Sequence, residues 1–229
     1  MLNPNDESVI HSWNQNAQAW IATIENEEIE SRKVVTNGAI IDAILSYSPN
    51  SILDVGCGEG WLTRELNLRG IEVTGIDGVA VLVENAKAKG GGKFLVLPYE
   101  DITTTSFANN RFDAVVCNFS LLGKGSVDNL VNLIPSLLKN NRLLFIQTLH
   151  PVTTCNQQPY IDGWRQEFWT GLNSQFPEVT PWYFRKLETW VNLLNSAGFS
   201  ILECREPIHP QQQKPASIIF VAQYNRIIT

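Results

Sequence analysis

Three glycines at alternate positions, Gly56, Gly58 and Gly60, stand in the stretch ILDVGCGEG, Ile52 to Gly60, directly after a short apolar run. A glycine in a strand-to-helix turn lets ligand atoms reach backbone that a Cβ would block. Asp77, in the stretch GIDG, ends the next apolar run, and Gly78 leaves room beside it. A carboxylate at that place can accept both hydroxyls of a ribose. Together they imply a nucleoside ligand. Each also has a plainer reading: a tight strand-to-helix connection for the glycines, and a helix N-cap for Asp77.

Two cofactor classes compete for that nucleoside. A dinucleotide site wants G-x-G-x-x-G, with the pyrophosphate on a helix N-terminus. Counting from Gly56 and Gly58 that pattern requires glycine at position 61, where Trp61 stands. Asp54 lies two residues before the first glycine. An acidic side chain there repels a pyrophosphate but suits a ligand bearing an ammonium group, as S-adenosylmethionine does.

The elements that must position these residues can be read from periodicity. Apolar residues at Trp13, Ala17, Trp20, Ile21 and Ile24, then at Val34, Ile41, Ile44 and Leu45, have helical spacing and predict two helices before any sheet. Strands are expected at Ser51 to Val55, Glu72 to Ile76, Phe94 to Leu97, Phe112 to Cys117 and Arg142 to Thr148. Helices are expected between them, one carrying Val79, Leu82, Val83 and Ala86, and another carrying Val127, Leu130, Val131, Ile134 and Leu137 with Pro135 kinking it or opening a second helix. Strands without polar alternation, separated by helices, imply a parallel sheet covered on both faces. The expected fold is therefore a doubly wound, Rossmann-like α/β fold. The stretch from Pro151 to Trp182 reads as a loop-like insertion; a last helix with Leu187, Trp190, Val191 and Leu194 then leads to strands Ser200 to Arg205 and Ser217 to Tyr224, an antiparallel hairpin at one sheet edge. That makes seven mostly parallel strands in one domain spanning 1–229: a helical cap (1–50), a cofactor-binding core (51–148), a lid insertion (149–182), and the last helix and closing strands (183–229).

With these motifs in place, the chain resembles the class I S-adenosylmethionine-dependent methyltransferases of the small-molecule type. The carrying stretches are ILDVGCGEGWLTREL, GIDG, YEDI from Tyr99, RFDAVVCNFSLLG from Arg111 and LLFIQTLHP from Leu143. The resemblance implies that Asp54, Gly56 and Gly58, with Cys57 between them, line the methionine part of the cofactor. It implies that Asp77 beside Gly78 takes the ribose hydroxyls, that Asp101 and Ile102 meet the adenine, and that Asn118 and Phe119 face cofactor and substrate. Trp20 and Arg32, on the capping helices, are further candidates, Arg32 as partner of the cofactor carboxylate. The run from Trp182 to Pro207 is similar to a subgroup with Tyr-His-Arg before the last helix; here the middle residue is Phe184, so a histidine base is not expected there.

For a general base, His150 at the end of the fifth strand comes first and Tyr183 second; a hydrogen-bonded loop histidine is an equal reading of His150. Arg185 either binds an acidic substrate or pairs with a surface carboxylate such as Glu188, and the second reading is favoured. Between Tyr160 and Trp190 stand nine of the 22 aromatics: Tyr160, Trp164, Phe168, Trp169, Phe176, Trp182, Tyr183, Phe184 and Trp190. Their concentration outside the sheet suggests a lid over an apolar or planar acceptor. The N-P-P-Y or D-P-P-Y stretch of enzymes methylating adenine or glutamine is replaced by CNFS, Cys117 to Ser120.

Composition sets the outer limits. With 229 residues, 44% hydrophobic and 17% charged, the chain can bury one core and is not a disordered segment. Its net charge of −6 opposes a nucleic-acid or anionic-membrane partner, which disfavours a tRNA methyltransferase. No secretory signal is read at MLNPNDESVI, and no apolar run reaches the roughly 18 residues of a membrane span, so a cytoplasmic protein, monomeric or homodimeric, is expected. Cys57, Cys117, Cys155 and Cys204 form no CxxC pair and make no metal-ligand spacing with the histidines, so reduced thiols and no metal are expected. The favoured function is methyl transfer from S-adenosylmethionine to a small-molecule acceptor. The alternatives are a non-catalytic S-adenosylmethionine-binding regulator and a nicotinamide oxidoreductase, the latter opposed by Trp61 and Asp54.

Overall fold

A computed structural model describes residues 4–108, 110–155, 158–167 and 169–225. Helix α1 (Asp6–Glu25) comes first, and a π-helical turn at Arg32–Thr36 runs directly into α2 (Asn37–Leu45). Strands and helices then alternate: β1 (Ser51–Val55), α3 (Trp61–Asn67), β2 (Glu72–Asp77), α4 (Ala80–Lys89), β3 (Lys93–Val96), β4 (Phe112–Asn118), α5 (Gly125–Leu137) and β5 (Leu138–Thr148). The remainder is α6 (Pro151–Cys155), β6 (Gly163–Glu167), β7 (Thr180–Phe184), α7 (Leu187–Ser196), β8 (Phe199–Arg205) and β9 (Ile218–Tyr224).

Seven strands form one sheet in the order β3-β2-β1-β4-β5-β9-β8. The first five pair in parallel, and β9 lies antiparallel between β5 and β8. The strand order reverses between β1 and β4, which opens a crevice at their carboxyl ends. Side chains alternate across the sheet, as a period of two requires. Leu53, Val55, Val115, Cys117, Leu144 and Ile146 pack on one face beneath α5 and α7, while Ile52, Ala114, Val116, Leu143 and Phe145 pack on the other with α2 and α3. On α5 the buried residues Val127, Leu130, Val131, Ile134 and Leu137 make one continuous stripe. Pro135 sits in its last turn and opens no second helix.

Two parts differ from the sequence expectation. β5 begins at Leu138, earlier than Arg142, with a shift of register against β4 between Phe112 and Ala114. The insertion is not a plain loop, since α6 and an antiparallel pair, β6 with β7, form within it. The hairpin's connection is long and holds no two-residue turn signal such as Asn-Gly, so local sequence did not announce it.

The insertion and α1 are fastened together. Asn16, with no exposed surface, donates from Nδ2 to the Glu178 carbonyl at 2.8 Å and to Thr180 Oγ1 at 3.1 Å, and its Oδ1 accepts from Glu178 N at 3.0 Å. Glu28, just past α1, accepts from Asn173 N and Ser174 N at 2.8 and 3.0 Å. At the other end of α1, Asp6 accepts from Lys124 N (2.6 Å), Gly125 N (2.9 Å), Ser126 N (3.1 Å) and Ser126 Oγ (3.0 Å). A residue distant in sequence thus caps the first turn of α5, where Lys124 offers no capping side chain. Asp6→Ala is expected to lower stability by about 1 to 2 kcal/mol, as loss of an N-cap does. Urea unfolding would measure it, and an unchanged midpoint would show that α5 does not depend on Asp6.

Candidate active site

A cavity of about 600 Å³ lies between the carboxyl ends of β1, β2, β4 and β5 and the cover made by α1 and the insertion. Of the residues expected at the site, Trp20, Arg32, Gly56, Cys57, Gly58, Asp77, Gly78, Asn118, Phe119 and Tyr183 line it. Asp54, Asp101, Ile102 and His150 do not.

The glycine turn is built by the ends of β1 and β2. Gly56 N and Cys57 N both donate to the Ile76 carbonyl, at 2.8 and 2.9 Å. The Asp77 carboxylate accepts from Gly58 N at 2.9 Å through Oδ2 and from Val79 N at 2.8 Å through Oδ1. Asp77 thus ties the turn before α3 to the turn before α4. The two leading glycines serve different ends. At Gly56 (φ +73°) an added Cβ would strike Ser120 Cβ at 2.3 Å and Tyr99 Oη at 2.8 Å, so this glycine makes room for protein rather than for ligand. At Gly58 (φ +56°) the nearest atom to such a Cβ is Trp20 Nε1 at 3.7 Å, which leaves its backbone open on the cavity side.

Three carboxylates gather here. Asp54 is buried behind the turn, with Oδ2 accepting from Thr63 Oγ1 at 2.8 Å; burial, reinforced by the Asp77 and Glu59 charges, pushes its pKa up to about 7. Burial also raises Asp77, against the two amide donors that favour its ionised form, and raises Glu59. Glu59 Oε1 has no hydrogen-bond partner among the described residues and lies 3.7 Å from Arg64 Nη2. Arg32 stands over the rings of Trp20 and Trp61, 5.6 and 5.0 Å from their centroids, and burial lowers its pKa against the pull of Glu59. Asn118 Oδ1 is a further buried acceptor with no hydrogen-bond partner among the described residues. Phe119 is held at φ +53°, a costly conformation for a bulky residue that aims the chain after β4 into the cavity rim.

Other expected residues lie outside the cavity lining. His150 is one: its Nε2 lies 2.7 Å from Glu206 Oε1 and its Nδ1 accepts from Thr153 N at 3.4 Å. Ile102 belongs to the core beneath the sheet, and Asp101 is exposed; Pro98, Tyr99 and Glu100 line the cavity in their place. Arg185 lines the cavity and pairs at 2.8 Å with a surface carboxylate, that of Asp128 rather than Glu188, and its other donors go to the Gly123 and Lys124 carbonyls. Of the nine clustered aromatics, Phe168 lies outside the described residues; Trp169, Trp182, Tyr183, Phe184 and Trp190 line the cavity, and Trp169 stacks on Phe176 at 4.8 Å. Sequence reasoning missed Glu59 and Glu167, although Glu59 stood inside the glycine motif.

A seven-stranded α/β sheet of this order, with a glycine turn and an acidic residue at the ends of its first two strands, defines the Rossmann-like methyltransferase class. The profile of a family described as "Methyltransferase domain" matches residues 32–204, and the chain belongs to that family. Among curated proteins it is 31% identical over 106 residues to a ubiquinone biosynthesis O-methyltransferase of Histophilus somni, covering 43% of this chain and 44% of that one. It is 35% identical over 83 residues to an uncharacterized methyltransferase of Mycobacterium bovis, covering 36% and 42%. The chain thus spans less than half the length of these relatives. Among solved structures, a putative S-adenosylmethionine-dependent methyltransferase from Listeria monocytogenes superposes with a TM-score of 0.66 at 19% identity, covering 83% of this chain and all of that one. Magnesium protoporphyrin IX methyltransferase from Synechocystis PCC 6803, solved with bound S-adenosylmethionine, gives 0.65 at 16% identity and covers 98% and 100%.

The raised pKa of Asp54 has a measurable sign. A carboxyl raised from its ordinary value to about 7 in the folded state stabilises most at low pH and loses that contribution as pH rises through 7. Asp54→Asn, whose side-chain oxygen can still accept from Thr63, is therefore expected to raise the melting temperature of the free protein at pH 8 by several degrees and at pH 5.5 by much less. Melting curves at both values check this; equal shifts would mean that Asp54 is ionised throughout.

Proposed function

We propose that this chain transfers a methyl group from S-adenosylmethionine to a small, planar or apolar acceptor. The observation that carries the reading is the open backbone of Gly58 beside Asp77, in a cavity where burial raises both Asp77 and Glu59 and Glu59 Oε1, though near Arg64, has no hydrogen bond among the described residues. A ligand with an ammonium and a sulfonium charge suits these carboxylates. Asp77 retains lone pairs for the ribose hydroxyls after accepting two amides, and a carboxylate offers about four such sites. Gly56, Cys57 and Gly58 flank the methionine part, Asn118 supplies its unpartnered acceptor, and Arg32, held between two indoles beside Trp20, faces the cofactor carboxylate.

The cofactor brings an electrophilic methyl group on a good leaving group. The protein's share is to align two reactants and to exclude water from them. The cover of α1, β6 and β7 does the excluding, and Phe119, Tyr183 and Trp182 form the wall against which an acceptor is held. His150 takes no part, and Tyr183 is the candidate that remains at the acceptor wall. In this reading 1–229 acts as one methyltransferase domain, with 51–148 as its cofactor core and 1–50 and 149–182 as its cover. No helix among the described residues is long and apolar enough to cross a membrane, and the four cysteines are free thiols, which suits the cytoplasm.

Calorimetric titration with S-adenosylmethionine, S-adenosylhomocysteine and NAD tests the assignment. The first two are expected to bind and NAD is not; tight NAD binding alone overturns it. Asp77→Ala is expected to weaken cofactor binding by about 1 to 3 kcal/mol through loss of charged hydrogen bonds, and an unchanged dissociation constant removes Asp77 from the site. Transfer of labelled methyl groups into a metabolite pool separates an enzyme from a regulator that only binds the cofactor.

A further inference from the structure

The chain leaves β4 along a path that its own residues do not favour. Phe119, Ser120, Leu121, Leu122 and Gly123 all line the cavity. Phe119 holds a left-handed φ of +53°, and such strain persists in a bulky residue only where the surroundings over-determine it. The near half of the segment is fixed from the sheet. Phe119 N donates to the Gln147 carbonyl at 2.8 Å, and Ser120 Oγ donates to the Val55 carbonyl at 2.7 Å. The far half is fixed from the end of β7. Tyr183 N donates to the Leu122 carbonyl at 2.7 Å, and Arg185 donates to the next two carbonyls, from Nη1 to Gly123 and from Nη2 to Lys124, each at 2.8 Å.

Arg185 is buried between the rings of Tyr183 and Trp190, its guanidinium carbon 5.0 and 5.1 Å from their centroids. Its Nη2 also donates to Asp128 Oδ1 at 2.8 Å, and the Asp128 side chain is 42% exposed. These partners do different things. The carboxylate, half in water, compensates the charge, whereas two successive carbonyls fix the course of the backbone. A guanidinium can span them because its donors lie in one rigid plane, which an ammonium on a flexible stem does not reproduce. From α1, Asp6 accepts from Lys124 N and Gly125 N at 2.6 and 2.9 Å. The end of the segment is thus gripped through its carbonyls by Arg185 and through its amides by Asp6.

We propose that Arg185 is a positioning residue: through the Gly123 and Lys124 carbonyls it holds Phe119 to Leu122 against the cavity where cofactor and acceptor meet. The inference rests on the reading of the cavity as a methyltransferase site, and it assigns Arg185 to the alignment of that site rather than to binding an acidic acceptor. Ser120 closes over Gly56 and accepts from Tyr99 Oη through its carbonyl, so a shift of this segment reaches the glycine turn itself.

Calorimetric titration of S-adenosylhomocysteine into the full chain and its variants tests this. Arg185→Met keeps an unbranched side chain between the two rings and buries no charge, so it is expected to fold. Having lost both carbonyl bonds, it is expected to bind S-adenosylhomocysteine about tenfold more weakly, the range of a hydrogen bond to a charged group. Arg185→Lys keeps the charge and is expected to bind as weakly; should Arg185→Met lack the folded signal in circular dichroism, Arg185→Lys carries the same comparison. Asp128→Asn removes the carboxylate and leaves the carbonyl bonds, so it is expected to bind as the unaltered chain does, whatever its melting temperature. Phe119→Gly adopts a positive φ without strain, and adding Arg185→Met to it is expected to cost less than about threefold. A role in stability alone would move melting temperatures and not this coupling. The proposal is overturned by unaltered affinity in Arg185→Met or Arg185→Lys, by an equal loss in Asp128→Asn, or by the full loss persisting beside Phe119→Gly. Failure of S-adenosylhomocysteine to bind the unaltered chain overturns the cofactor reading instead.

Discussion

The Asp77 carboxylate joins the two turns on which the site is built. One oxygen accepts from Gly58 and the other from Val79, while the preceding carbonyl, that of Ile76, receives the amides of Gly56 and Cys57. The ends of β1 and β2 are thereby locked at the edge of the sheet, and the starts of α3 and α4 follow from them. Burial disfavours the charged carboxylate, and the amide donors offset that cost only in part, since the pKa stays raised. The glycines are a consequence of the same crowding. Gly56 is required because Tyr99 and Ser120 close over it, with Tyr99 Oη donating to the Ser120 carbonyl at 3.0 Å and Ser120 Oγ donating to the Val55 carbonyl at 2.7 Å.

What covers this edge is assembled from distant parts of the chain. α1 and the insertion share the fully buried Asn16, whose three hydrogen bonds all cross between them. A buried amide with every partner supplied from one other segment fixes a single register between the two. Trp13, Trp20 and Trp169 add an apolar seam, with centroids 5.2 to 5.8 Å apart. Asp6 then pins the beginning of α1 to α5, which itself packs under the sheet. The cavity wall at Tyr183 is therefore tied mechanically to the sheet, although about three-quarters of the chain separates Asp6 from Tyr183.

The centre of the sheet was legible because β1 and β4 are buried on both faces and read as unbroken apolar runs such as Ala114 to Cys117, and the glycine turn was legible because its residues are local in sequence. The direction of a side chain beyond a strand end was not. His150 stands where a base would be useful, yet its ring meets Glu206, a contact that only the packing of the chain after β8 creates. Arg185 meets Asp128 on α5 instead of Glu188 because α7 begins only at Leu187, so Arg185 lies ahead of the helix that carries Glu188 and no helical i, i+3 pair forms. The β6–β7 pair escaped because long-range pairing leaves little local trace. Glu167 became visible only once that pairing set it against the cavity.

Charge then connects the cofactor end to protons. The Asp77 and Glu59 charges raise Asp54, and the Glu59 charge raises Asp77, in addition to what burial does, while Arg32, Arg64 and Lys89 pull on Glu59. A cationic ligand arriving beside them favours their ionised forms. By linkage, ionisation of Asp54 must favour that ligand to the same degree. With Asp54 half protonated near neutral pH in the free protein, binding of a cation should release protons there, so affinity should rise as pH passes upward through about 7. A carboxylate that never touches the ligand can thus tune its binding, through the field it shares with Asp77 rather than through contact.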